Sequence, residues 1–90
     1  FCGSLPDAEQ VYLTAQSMGW RIPEDLSLVC FSGTWRRGAL AERMTCVAVD
    51  EQGIGARAAE ILHEIRTGSR PLDDAERVVF DLELLEGETL

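Results

Sequence analysis

The chain has 90 residues, a net charge of -8 and a hydrophobic fraction of 46%, a composition typical of a folded domain rather than a disordered segment. Eight basic residues against sixteen acidic ones argue against direct contact with nucleic-acid phosphates. No apolar run approaches the roughly 20 residues that span a bilayer. The sequence therefore predicts one soluble domain, or a piece of one, without membrane association.

The cysteines Cys2, Cys30 and Cys46 are odd in number and lie in or beside apolar segments. They lack the paired short spacing of a zinc site, so they are predicted to be reduced, buried thiols of a cytoplasmic protein. Residues 1–3 are typical of the end of a strand, which predicts that preceding chain or a partner subunit completes the core.

The first predicted helix covers residues 5–18, with Ser4 as its N-cap residue and Gly19 at its end. Its apolar side chains recur at helical spacing and predict one buried face, made of Ala8, Val11, Tyr12, Ala15 and Met18. Leu13 lies off this stripe, either at its edge or facing a second partner. Residues 26–31 form a nearly unbroken apolar run, typical of a strand that is covered on both faces in a parallel sheet.

Residues 32–38 are predicted to form a loop at the carboxyl end of that strand, with turn-forming residues at both ends. Ligands of open α/β sheets collect at this position, so the loop is the first candidate binding site. Its candidate residues are Ser32, Thr34, Trp35 and Arg36. The alternative is that Trp35 only covers the core or a subunit contact.

The second half of the chain predicts a helical turn over residues 39–43, a strand over 44–49 and a helix over 51–67. Asp50 is the N-cap residue of this helix, and Gly68 ends it. Residues 76–85 alternate for most of their length, which predicts an edge strand with one solvated face. The order of elements predicts an α/β fold, with a parallel-rich sheet flanked by helices.

No arrangement of residues predicts an enzyme, a cofactor or a metal site. The segment from Gly53 to Ala58 matches the dinucleotide pattern G-x-G-x-x-A, but acidic residues before it oppose pyrophosphate binding. His63 is the only histidine, and it has no second ligand or nucleophile at helical spacing. Close packing of the helix start explains the glycines better than a nucleotide does.

The sequence from Gly19 to Phe31 resembles the LacI family of bacterial transcription regulators. It reads Gly19-x-x-Ile22-Pro23-Glu24-Asp25-Leu26-Ser27-Leu28-Val29-x-Phe31, beside the G-x-x-V-P-x-D-[IL]-S-[VL]-V-G-[FY]-D segment of that family. Three further stretches resemble the family's L-T-T-V strand, its I-G-x-x-A-x-x-x-L helix and its closing strand: Met44-Thr45-Cys46-Val47, Ile54-Gly55-x-x-Ala58-x-x-x-Leu62 and Val78-Val79-Phe80-Asp81-Leu82-Glu83-Leu84. The resemblance covers nearly all 90 residues in order.

The resemblance implies that residues 1–90 form the carboxyl-terminal lobe fragment of a periplasmic-binding-protein-like (type I) core. A sugar or related metabolite would bind between two lobes, and the protein would be a homodimer. Operator DNA would be bound only through an amino-terminal helix-turn-helix, which these residues do not contain. Effector binding would shift the equilibrium between lobe arrangements and so change DNA affinity.

The position of the loop and the resemblance together lead us to predict Ser4, Ser32, Thr34, Trp35 and Val49 as the effector-binding residues. Two positions depart from the family: Ser4-Leu5 replaces an N-D pair, and Ser32 replaces an aspartate that suits sugar hydroxyls. The effector is therefore either less polar than a sugar or chemically different, or sensing has been lost, although Trp35 could stack on a ring.

For the dimer interface, the family uses the outer face of the first helix and the segment after the first core strand. Here these surfaces present Glu9, Leu13, Gln16, Ala39 and Leu40. The contact would be isologous.

Two alternatives to the regulator stay open. One is a periplasmic sugar-binding protein of a transporter, which shares the fold, although the unpaired cysteines count against export. The other is a Rossmann-type enzyme built on the segment from Gly53 to Ala58.

Overall fold

The computed structural model describes residues 1–74 and 76–90, which form a three-stranded sheet and two helices. In chain order the elements are α1 (Leu5–Ser17), β1 (Val29–Gly33), β2 (Thr45–Val49), α2 (Glu51–Arg66) and β3 (Glu83–Leu85). The mixture of helices and a sheet confirms the α/β class.

Both helices begin and end where their capping residues predict. Ser4 caps α1, and its hydroxyl oxygen accepts a hydrogen bond from the Asp7 N–H at 3.3 Å. Gly19 follows the helix with a φ of 77°, a conformation that glycine adopts without a steric penalty. Asp50 caps α2 and accepts from the Gly53 N–H at 3.0 Å. The predicted helices are confirmed, apart from single residues at their carboxyl ends.

The sheet is mixed, with the order β1-β2-β3. β1 and β2 are parallel, with Val29 opposite Thr45 and Gly33 opposite Val49, whereas β3 is antiparallel to β2. Cys2 forms an isolated parallel bridge to Cys30 on the other side of β1. The predicted parallel arrangement holds for β1 with β2 but not for β3, whose predicted edge position is confirmed. The first strand also begins and ends later than predicted, because residues 26–28 precede it and Ser32 and Gly33 belong to it rather than to the loop.

The last strand is much shorter than predicted, because only Glu83–Leu85 pairs with the sheet. Residues 76–82 are not in a strand, and Val79 is 74% exposed. The alternation of side chains overestimates the length of this strand, because a strand also needs a neighbouring strand for its backbone hydrogen bonds. Residues 76–82 pair with none of the described strands.

The hydrophobic core lies between α1 and one face of the sheet. It contains Leu5, Ala8, Leu28, Cys30, Ala41, Met44 and Cys46. The prediction that β1 is covered on both faces is wrong, since Phe31 points away from this core and is 38% exposed. The predicted apolar stripe of α1 also proves narrower, because Val11 and Met18 are exposed.

Helix α2 lies beside residues 76–80 rather than against the sheet, and none of its residues is buried. Ion pairs hold it to the following segment: Arg57 contacts Glu76 at 2.8 Å, and Arg70 contacts both Glu64 at 2.7 Å and Glu76 at 2.8 Å. The hydrogen bond from Arg57 lowers the pKa of the Glu76 carboxyl. The prediction of helices flanking the sheet is therefore confirmed for α1 and wrong for α2, and the molecule is elongated, at 59 × 19 × 18 Å.

Candidate functional site

A cavity of about 370 Å³ lies where the carboxyl end of β1 meets the amino-terminal end of α1. The cavity has this position because β1 is parallel to β2 and is followed by a turn, while α1 begins directly after the Cys2 bridge to β1. Its lining residues are Gly3, Ser4, Leu5, Pro6, Phe31, Ser32, Gly33, Trp35, Arg36 and Arg37. Three of the five predicted effector-binding residues, Ser4, Ser32 and Trp35, are therefore together in one cavity.

The hydroxyl groups of the two serines differ in the hydrogen bonds that they can still form with a ligand. The Ser4 oxygen accepts the Asp7 N–H as part of the helix cap, so its own proton can still be donated to a ligand. The Ser32 hydroxyl donates to the Gly33 carbonyl at 2.9 Å, which leaves its oxygen free to accept. The pair thus offers one donor and one acceptor.

The aromatic and cationic side chains of the cavity come from consecutive positions after β1. Trp35 is 64% exposed, and the Arg37 guanidinium carbon lies 4.2 Å from the centre of its ring system, a cation–π contact. Arg36 is half-buried, and its Nη1 donates to the carbonyls of Ala41 at 2.8 Å and Met44 at 3.1 Å. Both cations are therefore held at the cavity by neutral partners.

The other two predicted effector residues, Thr34 and Val49, do not line this cavity. The Thr34 N–H donates to the Val49 carbonyl at 3.1 Å and to Glu51 Oε2 at 2.9 Å, and the Trp35 N–H donates to Glu51 Oε1 at 3.3 Å. Val49 instead lines a separate cavity of about 480 Å³ between α2 and residues 76–80. The hydrogen bond between Thr34 and Val49 thus ties the loop after β1 to the end of β2, beside the cavity.

Two residues of this arrangement, Arg37 and Glu51, were not among the predicted site residues. Arg36 and Arg37 are the only adjacent basic pair in an acidic chain, which was a signal for Arg37. Glu51 is separated from β2 only by Asp50, and parallel strands end at the same edge of a sheet, so its proximity to the end of β1 could have been derived. What the sequence did not show was which backbone N–H groups it would accept from.

The predicted dimer residues lie on α1 and on the segment after β1, which contact each other at Glu9 and Gly38. Leu13, Gln16 and Ala39 are exposed, and Leu40 is half-buried. The Glu9 carboxylate packs so closely on Gly38 that a side chain at position 38 would collide with it. Glu9 Oε1 is buried and has no hydrogen-bond partner within residues 1–74 and 76–90.

The glycine segment from Gly53 to Ala58 and the single histidine do not line this cavity. The Gly53 N–H, which a pyrophosphate would need, is occupied by Asp50 Oδ1. His63 is exposed on α2. Among residues 1–74 and 76–90, no group of three His, Cys, Asp or Glu side chains is arranged to hold a metal ion.

The three cysteines are free and lie side by side across the sheet, with Cys30 bridged to Cys2 and in register with Cys46. The Sγ atoms of Cys30 and Cys46 are 3.2 Å apart and both side chains are buried. Burial, followed by the hydrogen bond to Cys46, raises the pKa of the Cys30 thiol from 9.0 to about 12. This thiol is therefore protonated and unreactive near neutral pH.

A model of the periplasmic binding protein-like domain matches residues 1–90. The chain belongs to this family. Neither the curated proteins nor the solved structures gave a match. The family indicates a domain that binds a ligand, in agreement with a cavity at the carboxyl end of β1. No helix within the described parts of the chain has the length and apolar character needed to cross a membrane.

Proposed function

We propose that residues 1–90 are the effector-binding and dimerisation part of a LacI-type transcriptional regulator in the cytoplasm. The domain is a binding module and not an enzyme, and its effector is a sugar or related metabolite. Operator DNA is contacted by a helix-turn-helix elsewhere in the protein. The observation that carries this proposal is the cavity that joins Ser4, Ser32 and Trp35 in a chain of the periplasmic binding protein-like family.

The cavity has the components that recognition of a small polar ring requires. An exposed indole offers a surface on which a ring can stack, and the two serines supply a donor and an acceptor. Because Arg37 covers part of the Trp35 ring, a stacked ligand uses the uncovered face or displaces the guanidinium.

The layout of the chain supports a change of shape on ligand binding. The polypeptide leaves the sheet after Val49, forms α2 and residues 76–80, and rejoins the sheet at Glu83. Glu51 lies at the first crossing, and its carboxylate accepts the N–H groups of Thr34 and Trp35. A ligand that moves Trp35 therefore acts on the start of α2 through two hydrogen bonds, which gives effector binding a physical route to a shift of this helix.

The surface that carries Leu13 supports dimerisation. Leu13 is 51% exposed on α1, away from the core, and Ala39 and Leu40 lie on the adjoining segment. In an isologous contact through this surface, each of the two subunits would bury these same side chains against the other.

The second candidate is a periplasmic sugar-binding protein of a transporter, because the family match fits both classes of protein. The three free cysteines favour the regulator, since an oxidising compartment favours paired cysteines. The Rossmann-type enzyme has weaker support, because Asp50 already caps the glycine segment.

The test is selection of DNA from random duplexes by the intact protein, followed by titration of the selected duplex with sugars, polyols and nucleosides. We expect one sequence to be enriched, and at least one compound to change its Kd. Trp35→Ala should abolish the response, whereas Trp20→Ala, which changes an exposed indole outside the cavity, should preserve it. Failure to enrich any DNA, together with tight binding of a sugar, would favour the transporter protein.

A further inference from the structure

The lining of the cavity is positively charged, although the chain as a whole is negatively charged. The chain carries a net charge of -8, yet the only ionisable side chains that line the cavity are Arg36 and Arg37. Neither arginine forms an ion pair with any residue of 1–74 or 76–90, whereas Arg57 and Arg70 each pair with carboxylates. The cavity therefore carries uncompensated positive charge.

Arg36 is the more informative of the two because it is half-buried. Only its Nη1 donates within the described residues, to two carbonyls and weakly to Cys46 Sγ at 3.7 Å. Its Nε and Nη2 have no acceptor there, which leaves the edge of the guanidinium that matches two oxygens of a carboxylate or phosphate. Burial of a cation without a counter-ion is costly, so a ligand anion at this edge would relieve an existing penalty.

Arg37 is held at the same cavity by its contact with the Trp35 ring. This contact orders a long side chain before a ligand arrives, which reduces the entropy lost on binding. The amino-terminal end of α1 adds the partial positive charge of the helix dipole, although the Asp7 N–H already donates to Ser4 and Pro6 has no N–H. Arg37 and the amino-terminal end of α1 therefore both favour an anionic ligand, as Arg36 does.

Three carboxylates lie near the lining residues and oppose this charge. Asp7 is in the first turn of α1, Glu51 contacts Gly33, and Glu9 packs against Gly38, which follows Arg37. The charge of Glu51 is already engaged by the N–H groups of Thr34 and Trp35. None of the three carboxylates lines the cavity or pairs with an arginine there, so the lining itself stays cationic.

We propose that the effector is an organic anion, a sugar phosphate or a sugar acid, and that Arg36 and Arg37 bind its anionic group beside Trp35. This inference rests on the proposed effector site and names the class of its ligand. Ser32 fits this ligand, because its hydroxyl carries no charge that would repel an anion.

The test uses pairs of compounds that share a ring and differ in charge, with the intact protein, isothermal titration and thermal shift. The pairs are glucose with glucose 6-phosphate, ribose with ribose 5-phosphate, and galactose with galacturonate. We expect at least one anionic member to bind about tenfold or more tightly than its neutral partner. Its affinity should fall as salt rises, and the phosphate and carboxylate pairs identify the anionic group.

Arg37→Gln should weaken the anionic member about tenfold, whereas Arg66→Gln, which removes the same charge on α2, should not. Arg36→Lys keeps the charge but removes the planar fork, and it should weaken binding without loss of folding. Equal or tighter binding of the neutral partners, or no effect of Arg37→Gln, would overturn the inference and leave the effector site standing. Absence of binding by every member of every pair would overturn both proposals.

Discussion

The Thr89 hydroxyl donates a 2.6 Å hydrogen bond to the carbonyl of Leu28, 61 positions earlier in the chain. The same oxygen accepts the Thr45 N–H at 3.0 Å, and the Leu28 N–H donates to the Thr89 carbonyl at 2.7 Å. Thr89 is 1% exposed, so these groups are shielded from water. One side chain thus joins the starts of β1 and β2 to the segment that follows β3.

Thr89→Val should therefore be strongly destabilising, although it keeps the shape of the side chain. It leaves the Thr45 N–H and the Leu28 carbonyl buried without this partner, at about 1–3 kcal/mol for each unsatisfied group. Urea denaturation of the protein should show a lower midpoint. Thr89→Ser, which retains the hydroxyl, should recover most of the loss, and Thr14→Val on the exposed side of α1 should change the free energy of unfolding by less than about 0.5 kcal/mol.

Gly87 and Gly55 should respond to alanine in opposite directions. A Cβ at Gly87 would collide with the Arg43 and Met44 backbone, whereas a Cβ at Gly55 meets nothing within 4 Å. Gly87→Ala should destabilise the fold, and Gly55→Ala should stabilise α2 by up to about 1 kcal/mol. Equal thermal midpoints for the two variants would contradict the placement of residues 86–89 over β2.

The thiols should differ in reactivity in the folded protein. Cys2 is partly exposed, whereas Cys30 and Cys46 are buried. At pH 8, iodoacetamide should modify Cys2 first, and the other two should react only in denaturant. Mass spectrometry of tryptic peptides measures each site, and early modification of Cys46 would contradict the packing of β2 against the core.

The raised pKa of Cys30 predicts that stability declines in alkali. The unfolded thiol ionises at its ordinary value of 9.0, whereas the folded thiol ionises only at about 12. The contribution is therefore complete below pH 9 and is lost as the pH rises from 9 to 12, with a slope of about 1.4 kcal/mol per pH unit. Cys30→Ala should flatten this slope in denaturation curves measured at several pH values, and Cys2→Ser should not.

The dimer surface predicts that Leu13→Arg produces a monomer. Leu13 is 51% exposed, so arginine fits the folded subunit but places an unpaired charge at a two-fold contact. Light scattering after size exclusion measures the mass. Leu72→Arg is the matched control, because Leu72 is 83% exposed in the segment after α2. A dimer that survives Leu13→Arg would exclude this surface.

The link between the loop after β1 and α2 predicts that Glu51→Gln loosens this loop. The Thr34 and Trp35 N–H groups donate to different carboxylate oxygens of Glu51, whereas a glutamine amide has one acceptor oxygen and keeps at most one of these hydrogen bonds, in a weaker form. Hydrogen exchange at these two amides should accelerate, while exchange in the strand Thr45–Val49 stays unchanged. Asp73→Asn, which removes a charge outside the loop, should leave both unchanged.

The sequence alone determined both helices and the α/β class. Capping and periodicity are local, because a Ser4 or Asp50 side chain needs only the next turn of its own helix. The turn after β1 was also predictable from its turn-forming residues, and the structure gathers Ser4, Ser32 and Trp35 in one cavity beside it.

Only the tertiary structure decided the length of β3, the open face of Phe31 and the position of α2 away from the sheet. It also decided that Arg37 lines the cavity whereas Thr34 and Val49 do not, and that Glu51 accepts from the loop beside it. The physical reason is that these features depend on partners distant in sequence. Thr89 reaches Leu28 across 61 positions, and no periodicity near either residue records that contact.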